Sequence, residues 1–414
     1  MKFFGSLIAM MVLAVTPLRA EIDIAEVATP GGINAWLVQE DTIPFVALEL
    51  RFKGGASLDL PGKRGATNLM VGLLEEGAGD LDSRAYSERV ESLAASFDFD
   101  IGDDAVSISA RFLTENQDEA LALLRDAITQ PRFDQAAIDR VKAQIVSAIR
   151  SDAQDPDNLV GVAFDNMVFG DHPYGSAIEG TEESVADLTR DDLIAAHQGA
   201  FARDRVYVGA AGDISPEELA SLLDNLLSDL PEAGTPQPED IAVSTQEGVT
   251  IVPFDVPQSV AIFGHEGIAR DDPDFFAAYV LNEILGGGGF EARLMEEVRE
   301  KRGLTYGVYS YLVPKDHAAL YLGRVSSAND RIAEAVQVIR DEWSKMAANG
   351  VTEEELATAK TYLTGAYPLR FDGNGTIANI LVGMQMDDLP VEYVNTRNDL
   401  VNAITLDDIK RVAA

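Results

Sequence analysis

Residues 286–309 read GGGGFEARLMEEVREKRGLTYGVY. Four consecutive glycines lead into a charged helical pattern, Gly303 closes it, and the alternation of a strand follows from about Leu304. Arg299 falls in the last turns of the helix and Tyr306 early in the strand. Arginine offers a rigid fork of donors and no acceptor, whereas a tyrosine hydroxyl donates or accepts. Together they suit the carbonyl of an extended peptide and the negative charge that develops when it is attacked. The blander reading pairs Arg299 with a nearby glutamate and packs Tyr306 in a sheet. Gly286, Gly287, Gly288 and Gly289 lack the Gly-Lys-Ser/Thr ending of a phosphate loop and the G-x-G-x-x-G spacing of a dinucleotide site. They read as a flexible loop, suited to a tight turn or a close backbone approach.

Outward from this stretch, one pattern occurs twice. In the first half, strands are expected over residues 45–52 and 106–112, with helices over 65–75, 84–95, 118–128 and 136–153. The second half places strands at 259–263, 304–312 and 318–325, and helices at 273–285, 291–302, 331–346 and 353–366. Thr352 and Glu355 have the spacing of a capping box. SVADLTRDDLIAA at 184–196 is echoed by LVNAITLDDIKRVAA at 400–414, which points to a duplicated α+β domain. After the first copy a strand is expected at 205–209, and Ser215-Pro216 starts another helix. The second copy stops at Ala414 before a counterpart strand, so either that sheet lacks one edge or the sequence is shorter than the duplicated unit. The Pro- and Gly-punctuated segment 231–249 reads as a linker between domains at 21–230 and 250–414.

Residues 1–20 stand apart. Lys2, an apolar run through Val15 and the ending Leu18-Arg19-Ala20 form a secretory signal peptide pattern; as a membrane anchor the run is short for a span. No later segment reads as transmembrane, because charge soon breaks each apolar run. The expectation is a soluble exported protein, periplasmic or equivalent, with no disulfides because Cys is absent. A formal net charge of −37 opposes binding to nucleic acid and anionic membranes; attraction of basic peptides and plain solubility both account for it.

A complete catalytic centre is not legible. His172, His197, His265 and His317 are dispersed, with no helical i,i+4 pair for a zinc site. Glu75 and Glu76 are adjacent and so diverge on a helix. There is no G-x-S-x-G elbow, and cysteine chemistry is ruled out by composition.

The segment ILGGGGFEARLMEEVREKRGLTYGVYS resembles the second-domain loop, helix and R-to-Y motif of the M16, or insulinase-like, metallopeptidase family, especially its short bacterial and mitochondrial-processing-type members. Residues 47–79 are similar to that family's first-domain strand, turn and helix. The resemblance implies an α+β fold of two related α/β-sandwich domains forming a clam-like half. Active members carry an inverted zinc motif, His-x-x-Glu-His. Here RGATNLMVGLLEEG puts Asn68 and Gly72 at the two His positions and Val71 at the general-base Glu, with Ala148 at the distant Glu ligand. These are degenerate zinc-site positions, so no metal or other cofactor is expected in this chain. The family's substrate-binding Arg and Tyr carry over to Arg299 and Tyr306. The resemblance therefore implies the non-catalytic, substrate-binding subunit of a heterodimeric zinc peptidase. A partner subunit bearing His-x-x-Glu-His would supply the zinc and act on a peptide substrate. The alternative is a non-enzymatic peptide-binding or assembly protein with the same fold.

Overall fold

The computed structural model describes residues 22–244 and 248–414. The signal peptide expected at 1–20 and residues 245–247 of the linker lie outside the described residues.

The first half opens with strands β1 (Ala25–Ala28), β2 (Asn34–Gln39) and β3 (Phe45–Lys53), then helix α1 (Ala66–Val71). A small hairpin, β4 (Gly77–Ala78) and β5 (Leu81–Asp82), leads to α2 (Ser83–Ser92), β6 (Ser96–Ile101) and β7 (Ala105–Leu113). Helices α3 (Gln117–Thr129), α4 (Gln135–Asp152), α5 (Pro156–Phe169), α6 (Glu182–Asp187) and α7 (Arg190–Ala200) follow. Strand β8 (Val206–Gly212) and α8 (Pro216–Leu227) complete it. The second half holds β9 (Gln258–Glu266), α9 (Phe275–Asn282), β10 (Val308–Pro314) and β11 (Ala319–Ala328). It ends with α10 (Ile332–Asn349), α11 (Glu353–Ala366), α12 (Asn374–Met386), α13 (Tyr393–Ala403) and α14 (Leu406–Ala413).

The first sheet has six strands in the order β1-β2-β8-β3-β7-β6, with only β2 and β8 parallel. Strand β3 shows why it forms. Val46, Leu48, Leu50 and Phe52 alternate onto one face and are fully buried among the helices, while Ala47, Glu49 and Arg51 face the other side. The second sheet has three strands, β10-β11-β9. In it β9 stands where β3 does in the first, with β11 on one side. Among the described residues nothing pairs with the opposite edge; residues 250–255 lie in no strand, and Ile251 is 78% exposed.

Each sheet is covered by a helix from the other half. Helix α12 lies on β8 and β3: Ala378 packs with Ala47 and Ala211, Gln385 Nε2 donates to the Val208 carbonyl at 2.7 Å, and Arg51 Nη2 to Asn379 Oδ1 at 2.6 Å. Reciprocally, α5 lays Phe164, Val168 and Phe169 against Leu320 and Leu322 of β11, and Asp157 pairs with Arg324. The small residues of β8 permit the first contact, since a Cβ at Gly209 would overlap the Ala378 carbonyl.

The helix expected over 65–75 stops at Val71. Leu73 and Leu74 bond only three residues back, and the chain turns away into Gly77 at φ 112°. Glu75 and Glu76 therefore lie in a turn, where Glu76 pairs with Arg140 and accepts from Ser83 Oγ at 2.7 Å. The two echoed segments carry the same local structure. Thr189 with Asp192 and Thr405 with Asp408 each form a reciprocal capping box at the start of α7 and α14.

Candidate functional site

Helix α9 widens at its end into a π-helical turn, Glu283–Gly287, where the glycine run begins. The glycines are used for closeness. A side chain at Gly286 would strike Ser310 of β10, one at Gly287 the Asn282 amide, and one at Gly288 the Glu283 carbonyl. Asn282 Oδ1 accepts from Ser310 Oγ at 2.8 Å, so the turn is fastened to the middle of β10. Gly289 has φ 58°, opens a short 3-10 turn over Gly289–Glu291, and throws Phe290 outward to 66% exposure.

The expected helix at 291–302 is mostly a second π-helical stretch, Met295–Glu300, with Met295 and Val298 buried. Gly303, at φ 58°, ends it by donating to the Arg299 carbonyl at 2.7 Å, and Leu304 donates to the Val298 carbonyl at 2.9 Å. The following strand starts at Val308 rather than Leu304, because the side chain of Thr305 takes over the local backbone groups. Its hydroxyl, buried, accepts from Gly307 N–H at 3.0 Å and lies 2.6 Å from the Ser326 carbonyl. Arg331 clamps the same loop from the start of α10, donating to the Gly303 and Arg302 carbonyls at 2.7 and 3.0 Å. On this anchored loop Tyr306 is 87% exposed.

The cations of the segment differ in their partners. Arg293 makes a two-pronged bond to Glu355, at 2.6 and 2.7 Å, Lys301 reaches Glu297 at 2.6 Å, and Arg302 reaches it at 2.7 Å. Arg299 has a single ion pair among the described residues, a loose one from Nε to Glu300 at 3.6 Å, and its guanidinium makes no hydrogen bond there. Its guanidinium carbon instead lies 4.6 Å from the centroid of the Phe290 ring. The blander expectation of a glutamate-paired Arg299 is met only by that weak contact. Phe290, Tyr309 and Tyr311 were not singled out by sequence reasoning. The signal was available in an aromatic placed directly after a glycine run and in the alternation of Tyr309 and Tyr311. Both tyrosines sit on one face of edge strand β10, ring centroids 5.9 Å apart.

At the first-domain positions, Asn68 lies half-buried on α1, Val71 is buried, Gly72 caps the helix, and Ala148 is exposed on α4. A Cβ at Gly72 would already sit 3.4 Å from Val141. An amide, an isopropyl group, a glycine and a methyl do not fit zinc, which needs several nitrogen, sulfur or carboxylate donors. Among the described residues no group of three or more His, Cys, Asp or Glu is placed to hold a metal ion. The histidines have structural partners. His197 Nε2 bonds the Ile128 carbonyl at 2.6 Å, and burial pushes its pKa down. His265 Nε2 accepts from Trp343 at 3.3 Å. Although far apart in sequence, His172 and His317 meet at the seam between the halves.

The fold and the lack of a metal-holding cluster among the described residues define a class: a two-domain α+β protein of metallopeptidase architecture. Two family models match in tandem. Residues 36–182 match the insulinase, peptidase family M16, model, and residues 187–363 the peptidase M16 inactive domain. The chain belongs to the M16, insulinase-like family. A Helicobacter pylori protein described as "Non-peptidase homolog YmxG" is 27% identical over 372 residues, spanning 89% of this chain and 85% of its own. An "Uncharacterized zinc protease" of Rickettsia bellii is 27% identical over 77% of this chain and 76% of its own. The solved peptidase M16 inactive domain from Pseudomonas fluorescens superposes with a TM-score of 0.86 at 28% identity, covering 94% of both chains. A Helicobacter pylori protease structure shares the fold, with a TM-score of 0.85 at 17% identity over 95% of this chain and 96% of that one.

Proposed function

We propose that this chain is the substrate-binding, zinc-free subunit of a two-chain peptidase. Arg299 and Tyr306 would meet a peptide held beside the zinc of a partner that carries His-x-x-Glu-His. The observation that carries this reading is the contrast among cations: Arg293, Lys301 and Arg302 are spent on close carboxylates, whereas Arg299, on the same segment as the exposed Tyr306, has among the described residues only a loose 3.6 Å ion pair. Free guanidinium and phenol groups at the surface can hydrogen-bond a peptide carbonyl and favour the charge it gains on attack. The chain's own residues bind and orient; metal, general base and water activation belong to the partner. Export by the leader at 1–20 is part of the same proposal, and among the described residues no helix is long and apolar enough to cross a membrane.

The test is co-expression with an exported His-x-x-Glu-His homologue, followed by cleavage of a fluorogenic peptide library. Arg299→Ala or Tyr306→Phe should lower cleavage about 10²-fold with assembly intact, the usual cost of losing one transition-state donor. Zinc-dependent cleavage by the isolated chain would overturn the division of labour.

A second reading, a non-enzymatic peptide-binding or assembly protein, draws support from the Helicobacter pylori relative, which is described as a non-peptidase homologue. It expects partner or peptide association without turnover in any pairing.

A further inference from the structure

We infer that Phe290 is a positioning residue for Arg299: its ring holds the guanidinium by the face and leaves the N–H edge free for a peptide carbonyl. The inference rests on the reading of Arg299 given above.

An aromatic ring left 66% exposed forgoes most of the stabilisation that burial would give it, so a large apolar group on this turn needs an account. Three contacts hold the turn. Gly288 N–H bonds the Glu283 carbonyl at 2.8 Å, Ala292 N–H bonds the Gly289 carbonyl at 3.2 Å, and close packing at Gly286 ties the loop to Ser310. Phe290 therefore projects from a fixed point.

Two ways of holding an arginine occur within a few residues of each other. Glu355 grips Arg293 through both prongs, which consumes the in-plane donors. Phe290 lies 4.6 Å from Arg299 and covers the guanidinium through its π face, to which the cation is attracted without using a hydrogen. A structural arginine tolerates the first arrangement; one that must donate to an incoming group requires the second. Glu300, at 3.6 Å from Nε alone, does not occupy the fork.

The experiment is a double-mutant cycle on the co-expressed pair. An exposed to partly desolvated cation–π contact is worth about 0.5–2 kcal/mol, so Phe290→Ala should slow cleavage roughly 2- to 30-fold. Phe290→Trp, which keeps a π face, should stay within about twofold of the parent, and Phe290→Ala added to Arg299→Ala should cost no more than about twofold further. Independent, multiplying losses would overturn the inference, as would an inert Phe290→Ala beside a damaging Arg299→Ala. The Arg299 Nε–Hε resonance of the isolated chain, assigned by its loss in Arg299→Lys, is a readout that needs no partner. It should move in Phe290→Ala and recover a ring-shifted position in Phe290→Trp; an unmoved resonance overturns the positioning role. If no pairing yields cleavage but the resonance moves as expected, the peptidase reading fails while the contact between the two side chains stands.

Discussion

His172 and His317 face each other across the seam between the two halves, their ring centroids 6.2 Å apart. His172 accepts from the Tyr174 N–H through Nδ1 at 3.2 Å and meets the Glu239 carbonyl through Nε2 at 3.2 Å, an arrangement that suits a neutral ring. His317 bonds Asp240 through Nδ1 at 3.1 Å, and its Nε2 is buried without a partner among the described residues. Around them, Tyr174 bonds Asp104, Lys315 pairs with Asp103, and Lys53 pairs with Asp316 at 3.4 Å. This polar seam joins the β6–β7 turn of one half to the β10–β11 turn of the other.

Acid should loosen the seam. Burial, and next the neighbouring His317, hold the His172 pKa below its ordinary 6.5, while Asp103, Asp104 and the Glu239 carbonyl oppose them. The unfolded chain thus binds a proton first as pH falls. The contribution of His172 is intact above about 6.5 and is lost as pH drops through the lower folded value. Urea unfolding between pH 7 and 5 should show a steeper loss for the parent than for His172→Gln; equal slopes would refute it.

Asp165 behaves in the opposite sense. Burial raises its carboxyl to about 6 despite Lys315 nearby, so at pH 8 the folded state bears an unfavourable charge. The cost is relieved as pH falls through about 6, where the folded state takes up the proton first. Asp165→Asn should therefore stabilise the protein by about 2 kcal/mol at pH 8, with the gain shrinking by pH 5. Denaturant melts at the two pH values check it, and a loss of stability at pH 8 would count against it.

Gly209 sets the docking of α12. Its Cβ position lies on the Ala378 carbonyl and 2.9 Å from the Val382 nitrogen, both backbone atoms that cannot step aside alone. Gly209→Ala should cost about 1–3 kcal/mol, measured by thermal or urea unfolding. A neutral result would mean that the helix slides freely over β8.

Glu355 serves two elements at once, accepting from the Thr352 N–H at 2.7 Å as the capping box of α11 while gripping Arg293. The Arg293 hydrogen bond first, and the Thr352 bonds after it, hold its pKa down to about 2. Its stabilisation is present above the ordinary 4.5 and is lost as pH falls through about 2. Glu355→Gln should cost about 1–3 kcal/mol at pH 7 and flatten acid unfolding in that window. Circular-dichroism melts at pH 7 and pH 3 provide the comparison.

Local chemistry made much of the fold legible. Alternation in β3 and β7, the 3.6-residue periodicity of α3, α4, α10 and α11, and the Thr-led caps of α7, α11 and α14 are written in neighbouring residues, so they are found where their patterns lie. The duplicated α+β architecture follows from the same signals. Less legible were α5 and α12. Their partners are strands in the other half of the chain, and no local pattern states which sheet a helix will cover. The helix and strand flanking Arg299 were misplaced at their ends because the π-helical turns and Thr305 divert backbone hydrogen bonds from regular paths.

By itself, the sequence determined the residue types available: Arg299 and Tyr306 beside a glycine run, and Asn68, Val71, Gly72 and Ala148 where the resemblance expects a ligand set. Side-chain chemistry is a property of composition at a position and needs no fold to be read. Only the tertiary structure decided which of several neighbouring cations remains free. That outcome depends on distances to Glu297, Glu300 and Glu355 and on the Phe290 ring, which packing brings into place after the chain has turned.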